Sequence, residues 1–92
     1  MKHYECFLDA EHAALKGKKV YAKDQYEEAI KMAARTGHLH HAALFNERFA
    51  DFLKHDLVDE EESSYRLKEA IRWYKEWGAK RKVELLEKEL DP

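Results

Sequence analysis

The chain has little of what most functional classes require. There is one cysteine, Cys6, among 92 residues, so no internal disulfide can form and a small disulfide scaffold is excluded. There is one proline and there are three glycines, too few for loop-rich all-β architectures or for a flexible linker. No apolar run approaches the roughly 20 residues needed to span a bilayer, and the opening residues carry no signal-peptide pattern. With the lone cysteine, this leads to the expectation of a cytoplasmic protein without membrane contact. Charge of one sign is also lacking: 17 Lys and Arg face 19 Asp and Glu, interspersed along the chain. That balance offers no basic footprint for nucleic acid. No glycine-rich phosphate loop, Cys pair or H-E-x-x-H spacing occurs.

What remains is a chain that is 45% hydrophobic and 39% charged, with eleven aromatic residues, too many for a chain that buries nothing. Such composition suits amphipathic helices, and the three glycines punctuate them at 17, 37 and 78. Five helices are expected, at about 2–16, 19–36, 38–55, 59–77 and 79–90. The first places Tyr4, Phe7, Leu8, Glu11 and Leu15 on one face, with Glu11 at its edge. The second carries a stripe of Ala22, Tyr26, Ala29, Ile30 and Ala33. The third is apolar over most of its circumference, with Phe45 and Phe52 widening a stripe that includes Phe49 and Leu53; it should be central. Asp59 with Glu62 reads as a helix start, and Leu67, Ala70, Ile71, Tyr74 and Trp77 as the buried stripe that follows. Val83, Leu86 and Leu90 serve a short final helix before Asp91-Pro92.

A shift of 41 residues lays Tyr26-Glu-Glu-Ala-Ile30 over Leu67-Lys-Glu-Ala-Ile71, Gly37 over Gly78 and Leu44 over Leu85. Before the Glu-rich loop the better register is 38, with Leu15-Lys16 over Leu53-Lys54. A two-helix unit repeated at this period marks a helical-hairpin array, which stacks because one hairpin cannot bury its own apolar face. The expectation is a single all-α domain over 1–92. Hairpin 1 would cover about 2–36, hairpin 2 about 38–77, and a capping helix about 79–90.

The stretch Tyr26-Glu-Glu-Ala-Ile30 resembles the second half of a tetratricopeptide repeat, although Ala33 and Thr36 depart from that pattern and the repeats exceed 34 residues. Together with Ala42-Ala43-Leu44-x-Asn46-Glu47, Phe49-Ala50-x-Phe52-Leu53 and Trp77-Gly-Ala-Lys80-x-Lys82-Val83-x-x-Leu86, it is similar to a larger pattern. This is the last tetratricopeptide-like segment of large signalling proteins that join a Ser/Thr kinase-like domain, an AAA-type ATPase and helical repeats, often followed by GAF and histidine-kinase domains. The resemblance implies a right-handed solenoid fragment that acts as a non-catalytic scaffold within a signalling protein. Arg48 and Ala50 shift the family's N-E-x-A register, and the loop over 54–61 is acidic where the family has a glycine-containing turn. These departures leave open a free-standing adaptor that binds a peptide or partner helix.

The candidate sites are few. No catalytic residue and no cofactor site is expected: Cys6 has no base beside it, and Ser63 and Ser64 sit in an acidic helix start. His38 and His41 share a helix face and are the only metal candidates, short of the three or four ligands a zinc site needs; a metal-linked regulator is the third functional reading. Partners are expected to be protein, either neighbouring domains or a peptide, with a homodimer possible through the open repeat ends. Trp and Tyr are enriched at interface hot spots, which makes Tyr21, Tyr65 and Trp73 candidate contacts, whereas Tyr74 and Trp77 suit core packing. Lys80 and Arg81 join them, because positive charge at a helix start is locally unfavourable and suggests an acidic counterpart.

Overall fold

The computed structural model describes residues 2–90 and consists of five helices: α1 (Lys2–Leu15), α2 (Lys19–Arg35), α3 (Leu39–His55), α4 (Glu60–Trp77) and α5 (Lys80–Leu90). Residues 1, 91 and 92 of the expected 1–92 domain lie outside the described residues. Among the described residues there is no strand. The helix boundaries fall within a residue or so of those expected from the periodicity.

Short connections fold consecutive helices back on each other. Cys6 meets Met32 while Glu11 meets Tyr26, so α1 and α2 run antiparallel. Ser63 Oγ donates to the Ala50 carbonyl at 2.8 Å and Tyr74 Oη to Glu47 at 2.8 Å, which makes α3 and α4 a second antiparallel pair. Gly78 ends α4 in the left-handed conformation, at φ 89°, and its N–H and that of Ala79 both return to the Tyr74 carbonyl. The Asp59 side chain accepts from the Glu62 N–H at 3.1 Å and caps the start of α4.

The core forms two adjoining clusters. One gathers Phe7, Tyr26, Phe45, Phe49, Phe52 and Leu53 with alanines of α1 and α2; the other gathers Ala43, Ala70, Ile71, Tyr74, Val83 and Leu86. The central helix α3 contributes to both, as its all-round hydrophobicity requires. The α2 stripe of Ala22, Tyr26, Ala29, Ile30 and Ala33 is buried in full.

Two expectations are corrected, and a third residue is placed. The buried face of α1 is His3, Phe7, Ala10 and Ala13, whereas Tyr4, Leu8 and Leu15 are exposed. Alanines allow α1 to approach its neighbours closely, and leucines at those positions would hold the helices apart. Trp77 is 56% exposed, because it sits at the end of α4 opposite His40, where α3 has only begun. Trp73, offered as an interface residue, is partly buried and packs against both core clusters, with the Arg72 guanidinium 4.5 Å from its ring centre.

The acidic connection between α3 and α4 contains the one non-glycine residue with positive φ among the described residues, Val58 at 52°. A β-branched residue is strained there, and its side chain is exposed. Val58→Asn, which tolerates this conformation, is expected to raise the unfolding free energy by about 1 kcal/mol in urea denaturation.

Candidate functional site

The large apolar residues exposed on α1, Tyr4, Leu8 and Leu15, share one face with the half-buried Glu11, because the four recur at helical spacing. That face looks onto α3. The Tyr4 ring stands 5.4 Å from His41 and 6.1 Å from Phe45, and Glu11 receives Arg48. Between α1 and α3 a cleft of about 400 Å3 opens toward the carboxyl ends of both helices. Ala14, Leu15 and Phe52 form its apolar surface, and Glu11, Arg48, Asp51, His55 and Asp56 its polar surface. Leu15, which lines the cleft, is 88% exposed, and Leu8 on the same face of α1 is 52% exposed.

Tyr26 reaches this cleft from α2, and its hydroxyl donates to Glu11. Arg48 Nε and Nη2 bind the same carboxylate at 3.0 and 2.9 Å. Burial, then the hydrogen bond to Glu11, pushes the Tyr26 hydroxyl well above its usual range and keeps it protonated. Burial acts to lower the Arg48 pKa, but the Glu11 carboxylate overcomes it and raises the net value. Glu11 is thus held in place on both sides. Asp51 and Asp56 differ: among the described residues, neither lies within ion-pair distance of a cation.

The amino ends of α1 and α3 meet at the opposite end of this face. Here His38 and His41 do come together, with rings nearly parallel and centroids 5.7 Å apart. The residue that joins them carries no local signal in the sequence. His3 of α1 is buried, its Nε2 lies 2.9 Å from His41 Nδ1, and its ring is 4.5 Å from that of His38. His38 Nδ1 meets the Thr36 hydroxyl at 2.8 Å, and His40 stands 4.2 Å from His41, centroid to centroid. Among the described residues, no group of three or more His, Cys, Asp or Glu side chains is arranged to hold a metal ion. The imidazoles are instead engaged with each other and with aromatic neighbours. Burial first, and then the adjacent imidazoles, lowers the pKa of both His3 and His41.

The other candidates are dispersed. Tyr21 and Tyr65 are exposed on α2 and α4, and Lys80 and Arg81 are exposed on α5. Lys80 borders a second, largely apolar hollow of about 350 Å3 at the α4–α5 turn, beside Gly78, Ala79 and Val83. The Cys6 thiol is half-buried and its pKa is raised by burial, then by Glu28, which disfavours the thiolate a nucleophile requires. Two tethers went unnoticed in the sequence because their partners are distant. Glu47 accepts from Tyr74 Oη and Lys82 Nζ, both at 2.8 Å, and so ties α3 to α4 and α5. Arg66 spans from Glu27 of α2 to Asn46 and Phe49 of α3. In comparisons with protein-family models, curated proteins and solved structures, the chain matches none.

Proposed function

We propose that this chain is a protein-binding module of tetratricopeptide-like hairpins, and that it holds a segment of a partner protein in the cleft between α1 and α3. The observation that carries the reading is the exposed row of Tyr4, Leu8 and Leu15 on α1, whose last member lines that cleft. A helix that needs only to pack would turn its leucines inward, whereas α1 buries alanines and presents its leucines to solvent. An exposed apolar row rimmed by fixed polar groups is the composition of an interface rather than of an inert surface. The hairpin repeat supports the same reading, because arrayed hairpins bind along the face formed by their alternate helices. The resemblance of Trp77-Gly-Ala-Lys80 and its companion motifs supports a setting within a multidomain kinase or ATPase signalling protein, where the module would link neighbouring domains.

The test uses a random 12-residue phage-displayed library selected against the intact chain, followed by fluorescence anisotropy with the enriched peptides. Leu8→Glu and Leu15→Glu, introduced together, should weaken binding at least about tenfold. Each should change unfolding stability by no more than about 0.5 kcal/mol, as expected for exposed positions. Undiminished binding to the double variant would place the site elsewhere and contradict the proposal.

A further inference from the structure

The cleft has a polarity that selects its occupant. Its polar surface brings three carboxylates, Glu11, Asp51 and Asp56, against one guanidinium, Arg48. Arg48 is engaged by Glu11 at 2.9 Å, leaving Asp51 and Asp56 without an ion-pair partner among the described residues. Asp56 is the C-cap of α3, and the cleft also reaches Leu15, the last residue of α1. Two helix carboxyl ends therefore face the same space, and each carries the negative end of its dipole. The nearby lysines Lys16, Lys18 and Lys54 are exposed and do not line the cleft, so they do not neutralise it from within. His55 and Tyr26, whose hydroxyl is bound to Glu11, are the remaining titratable groups on the surface of the cleft.

Resting on the binding-module reading, we infer that the occupant is a cationic peptide segment, with a Lys or Arg side chain between Asp51 and Asp56 and an apolar neighbour on Leu15 and Phe52. The charge selects the partner, because an acidic segment would meet two unpaired carboxylates and two helix carboxyl ends. The apolar neighbour supplies area, since an exposed ion pair alone contributes only about 0–1 kcal/mol. The Glu11–Arg48 pair, held by Tyr26, fixes one end of the cleft before any ligand arrives. Little ordering of that end then accompanies binding.

The phage selection described above tests this by composition. Enriched peptides should carry Lys or Arg next to a large apolar residue, and their affinity should fall as salt is raised. Asp51→Asn with Asp56→Asn should weaken binding about tenfold and flatten the salt dependence. The inference is overturned if the enriched peptides show no basic preference, or if the Asn pair binds them as tightly as the parent chain. Peptides lost on Leu8→Glu with Leu15→Glu but retained by the Asn pair would leave the groove standing and remove only the cationic occupant. Failure to enrich any peptide would remove both.

Discussion

Phe49→Ala is expected to cost about 3–5 kcal/mol of unfolding free energy, the range for truncating a buried aromatic. The Phe49 side chain is fully buried at the centre of α3. Its ring stacks on Tyr26 of α2 with centroids 5.1 Å apart, and Phe52 lies 6.5 Å away on its own helix. The Arg66 guanidinium of α4 sits 5.0 Å from the same ring centre. One side chain thus joins three helices and both hairpins. A domain of this size has only about 5–15 kcal/mol in total, so the variant should be marginal at room temperature. Phe49→Leu, which retains most of the volume, should lose much less. Urea unfolding followed by circular dichroism measures both. A loss below about 1 kcal/mol for Phe49→Ala would show that this ring does not hold the hairpins together.

Acid should unfold the protein from the amino ends of α1 and α3. His3 and His41 have pKa values lowered from 6.5 in the folded chain, by burial and then by neighbouring imidazoles. The unfolded chain therefore binds protons more readily over this range, and stability must rise with pH. The neutral cluster contributes in full above about pH 6.5, and its contribution is lost as pH falls through the lower folded values. Helix dipoles act in the same direction. His3 lies in the first turn of α1 and His41 in the first turn of α3, both at positive ends. The first turn of α3 contains no acidic residue to offset them, and that of α1 contains only Glu5. The thermal midpoint should hold steady above neutrality and fall as the pH drops below about 6.5. His3→Phe, which keeps an aromatic ring against His38 and Phe45, should flatten that drop. An unchanged slope in His3→Phe would show that the cluster does not govern acid stability.

Much of the helical layout is legible in the sequence, because glycines end α1, α2 and α4 where the periodicity breaks. In α2 the apolar stripe and the buried face coincide, since its small alanines and Tyr26 are the same residues that permit close packing. In α1 they diverge. Leu8 and Leu15 look like core by hydrophobicity alone, yet beside Phe7 the buried positions go to His3, Ala10 and Ala13. The proposed binding site rests on these exposed leucines, and only the packed structure separates them from the core. Glu11 already stood out as an interruption of the stripe. Its partner Arg48 lies 37 residues away, and local periodicity cannot reveal that pairing. The same holds for His3, which meets His41 only because α1 and α3 lie side by side. Trp77 is exposed where its packing partner has run out, whereas Trp73 sits where both core clusters meet.

The central claim is that the α1–α3 cleft is the binding site, and amide chemical-shift mapping tests it most directly. An enriched peptide would be titrated into the isotopically labelled chain. The account predicts that the perturbations gather at Leu8, Glu11, Leu15, Asp51, His55 and Asp56, with Tyr21 and Tyr65 unmoved. Perturbations centred instead on Gly78, Ala79 and Val83, at the hollow beside the α4–α5 turn, would contradict it.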